Sequence, residues 1–348
     1  MELLHAINMK RLQSQLKHLQ PKDVLRLTPL DLINMPGIGT ISTANELLDA
    51  VSKFVAPSST TLYDLLNSTT SSKLRTGLEE LDRVLLGGLP SGTITELAGP
   101  SGSGKTQMCC QLSVLAAAPQ HAGGLAAGAL YIDTEGAASA CRIREITSSR
   151  FPNLTDEEIS ECTSRIFLHT VSTADSLHHL LSHTVQELII EHGIKLLIVD
   201  SIASLVRREF DSRLSSRSEV LLEQASLLKE IAEGFEIPVV LVNQVHTIVQ
   251  DMNADGGGSE TEKLEASRSS VGQLTVAMGN TWYHTVNTRL TLQYKDNVTR
   301  KITVSKSPVA AISSFDYIID KTGLVLTSFY PELEETQQTA IRPRDTSL

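Results

Sequence analysis

The chain has 348 residues, enough for one large α/β core with a small additional domain. Its formal net charge of −10 argues against a protein that coats nucleic acid by bulk electrostatics, so any DNA contact must come from local basic clusters. No apolar run is long enough to span a bilayer and the N-terminus has no signal-peptide pattern, so the expectation is a soluble intracellular protein with no membrane partner.

Residues 1–55 carry helical spacing and no strand pattern. There, LTPLDLINMPGIGTISTANELLDAVSKFV reads as two amphipathic helices joined by the turn Pro36–Gly39. Such a turn is either a helix-hairpin-helix, whose backbone amides contact DNA phosphate, or a tight corner in a small bundle. Residues 56–74 are rich in Ser and Thr and read as an interdomain linker. A core over 75–330 follows, in which TITELAG, GALYIDTE, RIFLHTV, IKLLIVDS and IPVVLVNQV are short apolar strand patterns separated by helical stretches. That alternation predicts a mostly parallel sheet covered on both faces. TRLTLQY, RKITVSKS and FDYIID alternate more like antiparallel strands, and residues 331–348 lack apolar periodicity and read as a disordered tail.

The segment GPSGSGKT, Gly99–Thr106, lies between the strand TITEL and the helical run KTQMCCQLSVLAAA. A glycine-rich turn there presents free N–H groups and the positive end of a helix dipole, which attract phosphate. Gly99, Gly102 and Gly104 let backbone approach phosphate without a Cβ clash, Lys105 reaches the β- and γ-phosphates, and the Thr106 hydroxyl ligates Mg²⁺. The cysteines nearby, Cys109 and Cys110, with Cys141 and Cys162, have no C-x-x-C spacing and read as small buried hydrophobes of a reducing compartment.

Phosphoryl transfer also needs a metal carboxylate, a positioned water and a group that reports the γ-phosphate. Asp200 ends LLIVD, Glu135 ends YIDTE and Gln244 ends LVNQ, so all three fall at the carboxyl ends of predicted strands, the rim where open α/β sheets bind ligands. The bland alternative for Asp133 and Glu135 is a pair of solvated strand-end charges. Two long segments follow this rim. SLVRREFDSRLSSRSEV carries Arg207, Arg208, Arg213 and Arg217 around Phe210, either a single-strand binding loop or an exposed helix face with ordinary ion pairs. TIVQDMNADGGGSETEKLEASRSSVGQ is glycine- and serine-rich, and its acidic residues outnumber Lys263 and Arg268, which counts against strong DNA binding.

Together these residues resemble the RecA-type recombinases, among them the eukaryotic and archaeal strand-exchange branch, over about Leu74–Leu326 and the small helical domain before it. GPSGSGKTQ and YIDTE fit the whole superfamily. DSIASLVRREFD, AMGNTWYHTVNTRL and SKSP are narrower and resemble a paralogue subunit of the branch. The resemblance implies a RecA-like P-loop ATPase core preceded by a small all-α domain, with ATP and Mg²⁺ as cofactors. It implies nucleotide contacts from Gly99, Pro100, Ser101, Gly102, Ser103, Gly104, Lys105, Thr106 and Gln107, with Arg142 on the adenine side. By the same resemblance Glu135 is the catalytic carboxylate, Asp200 serves the metal with Thr106, and Gln244 links the γ-phosphate to the second loop. Arg207 and Arg213, with Arg208, fall in the first DNA loop, and His284 and Lys306 fall where the family reaches across a subunit interface.

Homopolymeric members carry Phe-x-x-Ala in the interdomain linker, where this chain has Ser58 and Thr61. An acidic residue of the strand-exchange enzyme is Lys306 here, either a cross-interface charge or a solvent-facing lysine on an edge strand. The expected function is a slow DNA-dependent ATPase that serves as an accessory subunit of homologous recombination in the nucleus. It would assemble with other recombinase paralogues, bind single-stranded or branched DNA with modest affinity, and help load the main recombinase. The alternatives are a self-polymerising strand-exchange recombinase, or an interaction scaffold with ATP held at an interface.

Overall fold

The computed structural model describes residues 21–35, 38–56, 59–64, 73–202, 204–205, 214–244 and 279–330. The chain divides into two compact units, Met1–Thr70 and Ser71–Leu348.

The first unit contains helices α1 (Pro21–Arg26), α2 (Pro29–Ile33) and α3 (Ile41–Val55). Thr28 and Asp31 form a reciprocal capping box at the start of α2, and the Thr40 hydroxyl accepts the Thr43 amide at the start of α3. Leu32, Ile38, Ala44, Leu47 and Val51 bury one small core. Pro36 and Gly37 of the predicted turn lie outside the described residues, as does Ser58. Thr61 is described, and its hydroxyl caps the Asp64 amide.

The second unit is built on a nine-stranded sheet in the order β3-β2-β4-β5-β1-β6-β7-β8-β9. Its strands are β1 (Ile94–Gly99), β2 (Gly128–Asp133), β3 (Ile166–Thr170), β4 (Ile194–Asp200), β5 (Val239–Gln244), β6 (Thr288–Tyr294), β7 (Arg300–Lys306), β8 (Ser313–Asp320) and β9 (Gly323–Tyr330). The helices are α4 (Glu79–Val84), α5 (Lys105–Ala117), α6 (Ala140–Arg150), α7 (Asp156–Ser164), α8 (Ala174–His179), α9 (Val185–His192), α10 (Leu214–Phe235) and α11 (Gly279–Thr285). This is the expected α/β core with a mostly parallel sheet.

Strand period two sorts the core onto two faces. Leu197, Val199, Val239 and Leu241 pack with α8, α9 and α10 on one side, while Leu196, Ile198, Val240 and Val242 pack with α5 on the other. Helix α5 is buried on nearly every side, which is why KTQMCCQLSVLAA shows no amphipathic stripe. Cys109, Cys110 and Cys162 are buried as expected, whereas Cys141, one residue into α6, is exposed.

The C-terminal strands depart from the sequence reading. Strand β6 runs parallel to β1 on one side and antiparallel to β7 on the other, so antiparallel pairing begins only at β6–β7. A further strand, β9, pairs antiparallel with β8, and its alternation is broken by a register shift at Asp316–Tyr317. The strand carrying Lys306, β7, is interior rather than an edge. Strand β2 stops at Asp133, so Glu135 lies in the following loop and not on the strand. The predicted tail, 331–348, lies outside the described residues.

Candidate nucleotide site

Parallel pairing brings the chemistry to one rim. Gly99 of β1 stands opposite Gln244 of β5, and Asp133 of β2 opposite Asp200 of β4. Between them lies a cavity of about 320 Å³ lined by the glycine loop, Lys105, Thr106, Glu135, Asp200 and Gln244.

The loop is clamped from behind. The Tyr294 hydroxyl donates to Ser101 O at 3.2 Å, and the Tyr317 hydroxyl donates to Ser103 O at 2.5 Å. A Cβ on Gly99 would lie 2.2 Å from Leu292 O, and on Gly102, at φ +73°, 2.3 Å from the Tyr294 hydroxyl. These glycines therefore answer to the packing of β6 as well as to phosphate approach. Lys105 is 6% exposed, and its ammonium donates to Gly99 O at 2.9 Å and Pro100 O at 2.7 Å. Ser103 Oγ is buried and has no hydrogen-bond partner among the described residues.

Asp200 is the centre of the metal side. Its Oδ2 accepts the Thr106 and Tyr131 hydroxyls, each at 2.7 Å. Burial pushes the Asp200 carboxyl above the usual carboxylate range, while the two hydroxyl bonds pull the other way. Thr106 and Asp200 offer hard oxygen donors side by side, which fit Mg²⁺. Among the described residues no group of three His, Cys, Asp or Glu is placed to hold a metal. The N–H-rich glycine loop with Lys105 fits a polyphosphate.

Glu135 is exposed, and its Oε1 accepts the Ser201 hydroxyl at 2.8 Å. Its loop is built by Asp133. One oxygen of this buried carboxylate accepts the amides of Glu135, Gly136 and Ala137, and the other accepts that of Ala138. Asp133 is therefore no solvated strand-end charge: at 2% exposure it is a backbone clamp. Thr134 ties the same loop to β4, accepting the Ser201 amide at 2.8 Å. The spelling YIDTE contained this signal, an Asx-type acceptor ahead of a tight loop.

Arg142 does not line the cavity itself. Its guanidinium donates to Gln107 Oε1 at 2.7 Å, to Glu145, and to the Asp320 and Lys321 carbonyls at the β8–β9 turn. Gln107 does line it. His284 is exposed on α11, away from the cavity lining. Lys306 is engaged within the chain: its ammonium donates to Tyr283 O and Val286 O, both at 2.7 Å, and lies 4.6 Å from the Tyr283 ring centroid. Burial holds its pKa below the usual lysine value. Arg207, Arg208 and Arg213 lie outside the described residues.

A glycine loop between β1 and α5, with carboxylates and a glutamine at the ends of neighbouring parallel strands, defines the class: a P-loop nucleotide-binding core of RecA-like architecture. The chain belongs to the Rad51 family, whose model matches residues 68–326. It is 43% identical over 316 residues to DNA repair protein RAD51 homolog 2 of Mus musculus, covering 87% of this chain and 90% of that one. To DNA repair protein RAD51 homolog 2 of Homo sapiens it is 41% identical over 319 residues, 88% and 83% of the two chains. To DNA repair protein XRCC3 of Mus musculus it is 33% identical over 268 residues, 72% and 74%. The narrower expectation of a recombinase paralogue agrees with these relatives. Among the described residues no helix is long and apolar enough to cross a membrane.

Proposed function

We propose that the protein is an ATP-binding and ATP-hydrolysing accessory subunit of homologous recombination repair, acting in the nucleus. It assembles with other recombinase paralogues, binds single-stranded or branched DNA, and assists loading of the main strand-exchange recombinase at breaks and stalled forks. The observation that supports this reading is the pairing of Gly99 with Gln244, which puts a glutamine on the strand beside the glycine loop. The likeness to proteins named for DNA repair supports the biological setting.

In this reading Lys105 neutralises the β- and γ-phosphates, and Gln107 with Arg142 borders the base. Thr106 and Asp200 would hold Mg²⁺, which when bound would screen the phosphate charge. Glu135, fixed by Ser201, orients the attacking water and takes its proton, so ATP and water give ADP and phosphate. Gln244 registers the γ-phosphate, and its loss loosens the assembly, because a ligand shifts conformers only through differential affinity. Arg207, Arg208 and Arg213 contact DNA phosphate, and His284 and Lys306 face the neighbouring subunit. The domains follow the same plan: a helical domain over 1–55, a linker over 56–74, the ATPase core over 75–330 and a tail over 331–348.

Size-exclusion chromatography with light scattering tests the subunit reading, with and without ATP–Mg²⁺ and with and without single-stranded DNA. The expected result is a monomer in all four conditions that forms larger species when other paralogues are added. Long filaments of this chain alone on DNA would instead establish a self-polymerising recombinase.

A further inference from the structure

The interior of the second unit holds a carboxylate that the nucleotide chemistry does not use. Glu96 of β1 is fully buried, and a charge in that position persists only with good partners. Its Oε1 accepts Asn243 Nδ2 of β5 and Trp282 Nε1 of α11, each at 2.8 Å. Its Oε2 accepts Arg289 Nε of β6, the residue directly opposite it in the β1–β6 register. Asn243, Trp282 and Arg289 are 5%, 3% and 9% exposed.

Each partner sits beside something that matters at the surface. Asn243 immediately precedes Gln244 on the same strand. Trp282 lies two residues before His284 in α11. Arg289 lies 4.8 Å from the Tyr283 ring centroid, and Lys306 holds the Tyr283 and Val286 carbonyls at the end of the same helix. Along the chain, β5 and α11 are separated by residues 245–278, whereas through Glu96 Oε1 they are two hydrogen bonds apart.

We propose that Glu96 is a positioning residue that fixes α11, and with it His284, relative to Gln244, so that the nucleotide state read at Gln244 reaches the interface face through the buried path Asn243–Glu96–Trp282. This deepens the function proposed above and rests on its assignment of Gln244 and His284. Because both bonds fall on one oxygen, a shift of Asn243 changes what Trp282 can keep. Packed interiors pass on such shifts because they have few voids to absorb them.

The chain has a single tryptophan, so Trp282 reports on its own bond. The experiment measures Trp282 emission and acrylamide quenching in the full chain with Mg²⁺ and either the β,γ-imido analogue of ATP or ADP. A fluorescent N-methylanthraniloyl nucleotide measures binding separately by anisotropy. The same measurements follow on Asn243→Ser, which takes away the Nδ2 donor, leaves only a shorter hydroxyl on the nucleotide side and keeps Trp282 intact. The expected result is an emission shift with the ATP analogue that ADP does not produce, lost in Asn243→Ser while nucleotide binding persists. Binding with identical Trp282 signals for the two nucleotides overturns the path alone, as does a full signal in Asn243→Ser. Absence of nucleotide binding to the unaltered chain overturns the site reading and the path together. If Asn243→Ser fails to fold, the ATP-against-ADP comparison in the unaltered chain still decides.

Discussion

The Tyr131 hydroxyl donates to Asp200 Oδ2 at 2.7 Å from within the hydrophobic core, and Tyr131 has no exposed surface. A residue read from sequence as part of a strand's apolar run thus carries a polar duty at its tip. Tyr131→Phe should destabilise the fold by about 2 kcal/mol at neutral pH, the scale for a buried hydrogen bond to a charged group. The sign follows from Asp200. Its folded pKa is already raised by burial, and the Tyr131 bond lowers it, so the variant's pKa moves further up. A raised folded pKa contributes stability that is present at low pH and lost as pH rises through it, so the deficit should shrink in acid and reach its full size above that pKa. Urea unfolding across pH without Mg²⁺ measures this; a deficit that grows on acidification would refute it.

Glu135→Gln should lower ATP turnover by roughly 10²–10⁴-fold and leave nucleotide affinity and paralogue assembly in place. Single-turnover hydrolysis beside equilibrium nucleotide binding separates the two. If DNA-repair complementation survives the same substitution, hydrolysis is dispensable and the bound nucleotide is a structural cement.

Asp133 accepts four successive amides, and its removal strands several of them. Asp133→Ala should cost about 3 kcal/mol, and turnover should fall because Glu135 loses its platform. Asp133→Asn keeps one acceptor oxygen and should retain much of the stability. Equal urea midpoints for Asp133→Ala and the unaltered chain would show that the loop does not depend on this clamp.

Thiol reactivity reads the burial directly. Burial pushes Cys110 up to about 12 and Cys162 up to about 11, leaving thiolate fractions of ~10⁻⁴ and ~10⁻³ at pH 8. Cys109 is fully buried and raised as well, whereas Cys141 is exposed. Iodoacetamide at pH 8 should therefore modify Cys141 quickly and the other three only in denaturant. Peptide mapping by mass spectrometry checks it, and early modification at Cys109 would mean that α5 is not the buried helix described.

Changing Arg207 and Arg213 together to Ala should weaken single-stranded DNA binding and reduce the salt slope by about 1 for each phosphate that is no longer neutralised. Fluorescence anisotropy over a salt series is the measurement. An unchanged slope would remove this segment from the DNA path.

Local rules made much of the nucleotide site legible. A glycine run between a β-branched strand and a helix dictates a phosphate-attracting helix start, so Gly99–Thr106 declares itself without any tertiary information. Parallel topology, read from apolar runs alternating with helices, then sends Asp200 and Gln244 to the same rim. What stayed hidden depends on pairings between residues remote in sequence. Asp133 and Glu96 look like ordinary charges in the chain, and only folding surrounds one with four amides and brings Asn243, Trp282 and Arg289 to the other. The intrachain partners of Lys306 were likewise illegible, because its acceptors are carbonyls, which every residue possesses and no sequence pattern distinguishes. By itself, then, the sequence determined the phosphate loop and the direction of the strands, since these follow from neighbours and periodicity. Tertiary structure alone decided which buried charges found partners, since burial makes partnership obligatory but leaves its identity to the packing.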